Sequence, residues 1–219
     1  MASRILACGG EGDFTVFLLE LSGRPRPRLC YLPTAAADDP ARIVGFYDRA
    51  LLHDCDPFHV ELFGTPQRPA ERVAAADIVW VGGGNTANML AIWRLHGIDT
   101  ALRDAWERGA VLAGASAGGN CWFEGSVTDS FGPDLGPLAD GLGILQGSFC
   151  PHHDCEELRR PVYRQLVTDG VLPSGIACDD FAAVLFDGTE LAEVVTLRVG
   201  AGASRVTAVG EEPLPARLL

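Results

Sequence analysis

Short apolar runs alternate with segments of helical spacing over the first half of the chain. The apolar runs predict five β-strands, at residues 4–8, 28–32, 59–63, 78–81 and 110–113. Between them, apolar residues on one helical face predict helices at about 13–21, 41–52 and 99–108, and another directly after Thr86. This alternation indicates an α/β fold with a doubly wound, mostly parallel sheet flanked by helices.

The pattern loosens in the second half of the chain. Residues 124–143 contain five glycines and two prolines and predict a long irregular segment, a kind of segment that is often functional. A helix is expected near Pro161, and the remaining apolar runs predict strands at 144–149, 175–178, 182–186, 191–199 and 203–208. The sequence has no recognisable linker or internal repeat, so residues 1–219 are predicted to form a single domain.

Charge and composition narrow the classes of partner. Acidic residues outnumber basic ones by 29 to 17, which gives a net charge of −12. This charge argues against nucleic acid or an anionic membrane as a partner, and an acidic substrate would need a local cationic pocket. No apolar run suits a signal peptide or a membrane span. The seven cysteines, an odd number without C-x-x-C pairs, predict reduced thiols and a cytoplasmic location.

The strongest candidate for chemistry is Gly114-Ala115-Ser116-Ala117-Gly118, which matches the G-x-S-x-G nucleophile elbow. A sharp strand-to-helix turn holds the serine side chain in an exposed position, and glycines on either side let neighbouring backbone pass closely. The N–H of Ala117 would then point to a developing oxyanion. Ordinary strand–helix turns rich in glycine and alanine share this pattern, so the pentapeptide alone leaves both interpretations open.

A second glycine-rich turn, Gly82-Gly83-Gly84-Asn85, follows the fourth predicted strand. It lacks the Gly-Lys-Ser/Thr of a Walker A motif and the spacing of a dinucleotide-binding fingerprint. Ligands of doubly wound sheets bind beyond the carboxyl ends of the strands, where both turns lie. An ordinary βα turn and a phosphate-binding loop are alternative interpretations. Because an elbow serine lies in the neighbouring turn, the bare N–H groups are predicted to complete an oxyanion hole.

A general base is predicted at His152 or His153, which lie in a loop directly after a predicted strand with acidic residues beside them. The other three histidines lie near helix ends or within a strand. Zinc is a rival interpretation of this loop, but the spacing is unusual and no second Cys/His pair completes a closed site, so no metal is predicted. The candidate zinc ligands are Cys150, His152, His153 and Cys155.

The acid that orients the base has two groups of candidates. Asp179 and Asp180 end a predicted strand and give the order Ser…His…Asp. The alternatives in the irregular segment give the Ser…Asp…His order of the α/β-hydrolases, whose histidine normally lies near the chain end. About 65 residues follow His153, which disfavours them. These alternatives are Asp129, Asp134 and Asp140.

Four motifs in this order resemble the peptidase E family of α-aspartyl dipeptidases and the related cyanophycinases. They are Gly82-Gly83-Gly84-Asn85-Thr86, Gly114-Ala115-Ser116-Ala117-Gly118, Pro151-His152-His153-Asp154 and Gly175-Ile176-Ala177-Cys178-Asp179-Asp180. The resemblance covers most of the chain. It implies a class I glutamine amidotransferase-like fold and a serine hydrolase without a cofactor, acting on a small peptide as a monomer or homodimer.

The resemblance also implies roles for individual residues. Ser116 matches the family nucleophile, and His152 matches its histidine because Arg160 then lies at a family-like distance; His153 remains the alternative. Asp180 occupies a position where the family usually has glutamate, which is a departure. Gly83 and Gly84, with the N–H of Ala117, match the oxyanion hole.

The substrate implied by the resemblance is a dipeptide with an N-terminal aspartate. The nearest cationic candidates for its side chain are Arg159, Arg160 and Arg164, because guanidinium groups bind carboxylates in pairs of hydrogen bonds. Asp129 is a candidate partner for the free amine, and Asn85 and His153 are further candidate contacts.

Three alternative functions stay open. A related hydrolase could prefer β-aspartyl or cyanophycin-type substrates. A glutamine amidotransferase would carry cysteine at the elbow, which Ser116 disfavours. A non-catalytic small-molecule binding module is the third, and the aspartate at position 180 keeps it open.

Overall fold

A computed structural model of the protein describes residues 3–219. Over this range fourteen β-strands form two sheets, with seven α-helices packed against them. The strands are β1 (Arg4–Cys8), β2 (Arg28–Leu32), β3 (Asp56–His59), β4 (Ile78–Val81), β5 (Val111–Ala115), β6 (Phe123–Thr128), β7 (Gly136–Leu138), β8 (Leu145–Cys150), β9 (Gly175–Cys178), β10 (Ala182–Asp187), β11 (Glu190–Thr196), β12 (Ala203–Thr207), β13 (Gly210–Leu214) and β14 (Ala216–Leu218). The helices are α1 (Thr15–Ser22), α2 (Pro40–Ala50), α3 (Pro69–Ala74), α4 (Thr86–His96), α5 (Ile98–Glu107), α6 (Ala117–Asn120) and α7 (Arg159–Thr168).

The larger sheet has eight strands in the order β14-β11-β10-β1-β5-β4-β2-β3. Its five strands from β1 to β3 are parallel, whereas β10 pairs with β1 in the antiparallel sense. Helices cover both faces of this sheet. In β1, Leu6 and Cys8 belong to the cluster with α1 and α2, and Ile5 and Ala7 to the cluster with α3–α5. Burial on both faces explains the continuous apolar runs of the parallel strands, and the predicted α/β class is confirmed.

A second, six-stranded sheet has the order β13-β12-β9-β8-β6-β7. The sequence predicted several of these strands without indicating that they form a separate sheet. The prediction of one irregular segment over 124–143 is wrong at residues 124–128 and 136–138, because β6 and β7 pair there in the antiparallel sense. Residues 129–135, with the exposed Phe131, and residues 139–143 are irregular as predicted.

The third strand also differs from its prediction at 59–63, since β3 ends at His59. The N–H groups of Leu62 and Phe63 donate instead to the buried carboxylate of Asp38. The Val60 N–H still donates to the Tyr31 carbonyl, and beyond it a side-chain acceptor replaces the strand ladder. The apolar pattern alone does not distinguish the two.

The helices of the described chain are all too short to cross a lipid bilayer as an apolar span. The longest, α2 and α4, have 11 residues each. All seven cysteines carry free thiols, and only that of Cys155 is exposed.

Candidate active site

Ser116 lies directly after the central strand β5, which pairs with β1 on one side and β4 on the other. Its backbone has φ 56° and ψ −112°, a conformation that costs a non-glycine residue about 1–3 kcal/mol. A Cβ on Gly118 would lie 2.3 Å from the carbonyl oxygen of Val81, and one on Gly114 2.5 Å from that of Gly118. The turn thus has the strain and the close backbone approach of a nucleophile elbow.

The second glycine-rich turn lies beside this serine because of the strand register. Gly114 is paired with Val81, so the residues after β4 run alongside those after β5. A Cβ on Gly83 would lie 3.3 Å from Ser116 Cβ and 3.8 Å from its Oγ. Within residues 3–219, the N–H groups of Gly83, Gly84 and Ala117 donate to no backbone carbonyl. These groups are therefore available to an anion formed near Ser116.

His152 and Asp180 come together because β8 and β9 are parallel neighbours, with Cys150 paired with Ala177. The loops after both strands consequently start at the same edge of the sheet. Nδ1 of His152 lies 2.7 Å from Oδ1 of Asp180, and both side chains are largely buried. In a neutral imidazole, this contact requires the proton on Nδ1 and leaves the lone pair on Nε2.

The end of β1 connects the serine with the histidine. Ser116 N–H donates to the carbonyl of Cys8, and His152 N–H donates to the carbonyl of Gly9. Two adjacent carbonyl groups at the end of β1 thus bind Ser116, which follows a strand of the larger sheet, and His152, which follows a strand of the smaller sheet. Within the described chain, the Ser116 hydroxyl makes no hydrogen bond to the imidazole. Catalytic hydrogen bonds are often long in unliganded enzymes and shorten with bound substrate.

Gly10 is a site residue that the sequence reasoning missed. A Cβ at this position would lie 2.1 Å from Asp180 Oδ1 and 2.3 Å from His152 Cε1. Only glycine leaves room for the pair. The signal was present in the Gly9-Gly10 dipeptide directly after the first predicted strand, since it ends at the same edge as the other two glycine-rich turns.

Asp180 is held as an ionised acceptor. Its Oδ1 also accepts from the Glu11 N–H at 3.3 Å, and its Oδ2 accepts from Cys155 Sγ at 3.1 Å. Partial burial acts to raise the pKa of Asp180, but the hydrogen bonds from Cys155 and His152 outweigh it and hold the pKa below its usual value. The backbone N–H of Asp180 donates to Asp154, which in turn pairs with Arg198.

The neighbouring candidates Asp179 and His153 have other partners. Asp179 accepts from the Gly202 N–H at 2.9 Å, and burial raises its pKa. Nε2 of the buried His153 lies 3.1 Å from Oε1 of Glu211 on β13. Asp179 and His153 therefore connect the loops after β9 and β8 to the region of β12 and β13. Their sequence neighbours, Asp180 and His152, form the hydrogen-bonded pair.

The candidate substrate contacts are distributed over several environments. Asn85 caps α4 and its amide donates to the Ser130 carbonyl, which fixes the loop containing the exposed Asp129 next to the second glycine-rich turn. Arg159 is buried, paired with Glu156 and bonded to the Val127 carbonyl.

The other two candidate arginines lie on the exposed side of α7. Arg160 pairs with Glu211 at 3.1 Å, and Arg164 is exposed. The structure therefore does not bring the three arginines together at one point.

A cavity of about 540 Å³ borders the elbow at Ala115 and the second glycine-rich turn at Gly83. It lies between the β1–α1 loop and α2, over the carboxyl ends of the parallel strands. Arg42 and Arg49 of α2 line one side, and Glu11 and Asp13 line the other. The sequence reasoning missed these residues. Arg42 and Arg49 are seven positions apart and thus share one helix face, but nothing in the sequence places that face beside Ser116.

The four candidate zinc ligands do not converge in the described chain. Cys150 is buried beside His153, with Sγ 3.9 Å from Nδ1. His152 and Cys155 instead group with Asp180, and one ligand atom from each of these three lies within 4.8 Å of the others.

Comparison with known proteins identifies the family. The profile of Peptidase family S51 matches residues 5–194. The chain is 44 % identical over 229 aligned residues to the uncharacterized peptidase YgaJ of Bacillus subtilis (strain 168), covering 99 % of each. It is 34 % identical over 85 residues to Peptidase E of Salmonella arizonae, covering 38 % of this chain and 37 % of that protein.

The fold is shared with a solved structure. The crystal structure of a peptidase from an acI-B1 Actinobacterium superimposes with a TM-score of 0.75 at 18 % identity, covering 99 % of this chain and 95 % of that one. The similarity to the peptidase E family indicated by the four motifs is therefore confirmed, and the chain belongs to peptidase family S51.

Proposed function

We propose that this peptidase is a serine hydrolase that cleaves dipeptides or short peptides with an N-terminal aspartate through an acyl-enzyme. The observation that carries the proposal is the strained Ser116 elbow, with free N–H donors beside it and a His152–Asp180 pair fixed to the same strand end. Backbone strain of this kind clusters at functional sites, where the surrounding structure maintains it.

The proposed reaction follows the serine route. Nε2 of His152 takes the proton of Ser116 as Oγ attacks the peptide carbonyl, and Asp180 stabilises the imidazolium through Nδ1–H. The N–H groups of Ala117 and Gly84, with Gly83 alongside, stabilise the oxyanion. The imidazolium then gives its proton to the leaving amine. Water, deprotonated by the same nitrogen, releases the acyl group and regenerates Ser116.

The cavity beside Ser116 is our proposed location for the peptide. A molecule with net charge −12 repels anions at long range, so an acidic peptide needs local cations. Arg42 and Arg49 supply them within the cavity, and Glu11 and Asp13 offer partners for a free amine. Positive groups on one side of the cavity and negative groups on the other suit a short peptide that carries both carboxylates and a free amine. The free cysteines support a cytoplasmic location.

The test measures kcat/KM for Asp-Ala, Asn-Ala and β-Asp-Ala with the wild-type protein and the Ser116→Ala variant. We expect hydrolysis of Asp-Ala in preference to the other two, and a loss of at least about 10³-fold in the variant. The matched control is Ser174→Ala, an exposed serine outside the site, which should retain full activity. Preference for Asn-Ala or β-Asp-Ala would contradict the proposed specificity, and full activity of Ser116→Ala would contradict the proposed nucleophile.

A further inference from the structure

Cys155 contacts the proposed catalytic acid from outside the hydrogen-bonded pair. Its Sγ donates to Asp180 Oδ2 at 3.1 Å and lies 4.0 Å from His152 Nδ1. The other six cysteines are buried, and Cys155 alone is exposed, on the loop between β8 and α7. A solvent-accessible thiol thus lies beside both members of the His152–Asp180 pair, and the proposed reaction has no use for it.

We propose that Nδ1 of His152, Sγ of Cys155 and one carboxylate oxygen of Asp180 form a binding site for a thiophilic divalent cation such as Zn²⁺, and that the bound cation switches the peptidase off. The binding part stands on the geometry alone, and the inhibitory part rests on the proposed function.

The donor set and its spacing suit this class of cation. One sulfur, one imidazole nitrogen and one carboxylate oxygen are typical zinc ligands, and the sulfur disfavours Mg²⁺ and Ca²⁺. With metal–ligand distances of about 2.0–2.3 Å, tetrahedral geometry separates ligand atoms by roughly 3.5 Å. The Sγ–Oδ2 distance of 3.1 Å and the Sγ–Nδ1 distance of 4.0 Å lie on either side of that value. Small side-chain rotations would therefore suffice, with water as the fourth ligand.

The local charge also favours a cation. The Cys155 thiol donates to the Asp180 carboxylate, and the acidic residues Asp154 and Glu156 flank it directly in the sequence, so the sulfur lies in a negatively charged environment. The thiol must lose its proton to bind a metal. The nearby guanidinium of Arg198 pairs with Asp154 rather than with the side chain of Asp180, so the Asp180 carboxylate keeps its charge for the metal.

Metal binding at Nδ1 has a direct consequence for the proposed base. The Nδ1 proton is displaced and the neutral ring carries its proton on Nε2 instead. The thiol proton is released to solvent, so one proton leaves for each cation bound. An imidazole with a protonated Nε2 and a metal on Nδ1 cannot accept the Ser116 proton. Inhibition thus follows from the same contact that creates the site.

The binding test uses Co²⁺ as a spectroscopic probe in the Ser116→Ala variant, which keeps all three ligands. We expect one Co²⁺ per chain with a thiolate-to-cobalt charge-transfer band, and displacement of the cobalt by one equivalent of Zn²⁺. Cys155→Ser and Cys155→Ala should each remove the band. Because loss of an outer-sphere partner already costs 10–100-fold in affinity, loss of this ligand should weaken binding by at least about 100-fold.

The matched control is Glu157→Gln, an exposed carboxylate on the same loop outside the cluster, which should leave the band unchanged. A band that persists in both Cys155 variants, or no band with Cys155 present, overturns the site.

The activity test measures inhibition by Zn²⁺ of Asp-Ala hydrolysis, with each protein compared with itself in chelator. Wild type should be inhibited reversibly, and Cys155→Ser should need at least about tenfold more Zn²⁺. Equal inhibition of both proteins overturns the switch. A cobalt band without hydrolysis of Asp-Ala by wild type contradicts the proposed function and supports the metal site, so the two failures are distinguishable.

Discussion

Two residues of the site have left-handed backbone, Ser116 at φ 56° and His152 at φ 53°. Strained non-glycine residues cluster at functional sites, where the surrounding structure maintains the strain. The sequence predicted the serine position because G-x-S-x-G carries its own geometry. The residue pattern could not choose between His152 and His153, because adjacent residues of a loop have the same composition around them. Only the family resemblance favoured His152, and the fold assigns the two residues different partners.

The tandem histidines should respond differently to substitution. We expect His152→Ala to lower kcat/KM for Asp-Ala by about 10²–10⁴-fold, the usual contribution of a general base. His153→Ala should mainly lower the melting temperature, because it leaves Glu211 buried without this partner. Steady-state kinetics and thermal unfolding on both variants check this. The reverse pattern, with activity lost only in the second variant, would assign the base to His153.

The close contact at Gly10 gives a second test at this scale. Gly10→Ala should separate His152 from Asp180, since the added methyl group would overlap both side chains. We expect a loss of kcat/KM of at least about tenfold with retained secondary structure. The control is Gly23→Ala, where a Cβ meets no atom within 4 Å although φ is 61°. Wild-type kinetics in Gly10→Ala would show that the His152–Asp180 distance does not limit catalysis.

At the scale of elements, strand ends assemble the site. The register of β5 and β4 brings the elbow beside the second glycine-rich turn, and that of β8 and β9 brings His152 beside Asp180. The sequence predicted each of these strands from its apolar run, and the glycine-rich turns indicated where β4 and β5 end. The pairing of β6, β8 and β9 in a second sheet was not predictable, because apolar periodicity carries no information on which strands are neighbours.

The face of α2 that lines the cavity leads to a prediction about substrate binding. Arg42→Gln and Arg49→Gln should each raise KM for Asp-Ala by about tenfold, with a smaller effect on kcat. Loss of a hydrogen bond to a charged group costs about 1.5–3 kcal/mol, and the cost is lower where that group is exposed to solvent. The control is Arg26→Gln, which is outside the cavity and forms only a weak pair with Asp54. Equal KM values in all three variants would place the substrate carboxylates elsewhere, with Arg160 and Arg164 the next to test.

At the scale of the whole molecule, the site lies where the two sheets meet at the end of β1. Both Asp180 and Glu211 have pKa values below the usual range. Burial acts to raise both pKa values, but hydrogen bonds to the carboxylates outweigh it. Asp180 accepts from Cys155 and His152, and Glu211 accepts from His153. The stability of the junction between the two sheets therefore depends on the protonation of these carboxylates, and so on pH.

The sign of that coupling is testable. Below about pH 4 the unfolded chain binds more protons than the folded one, because the folded carboxylates resist protonation. The free energy of unfolding should therefore fall as pH decreases through this range. We expect Asp180→Asn to show a shallower fall than wild type in urea unfolding series, and the exposed control Asp134→Asn to match wild type. Equal slopes for wild type and Asp180→Asn would contradict the lowered pKa.

The central claim is that the Ser116 hydroxyl attacks the substrate and carries its acyl group. The most direct measurement is peptide mapping by mass spectrometry after acid quench during turnover of an activated aspartyl ester, whose fast acylation lets the intermediate accumulate. We predict an aspartyl adduct on the peptide that contains Ser116, and its loss in Ser116→Ala. An adduct on a different residue, or undiminished turnover in Ser116→Ala, would contradict the account.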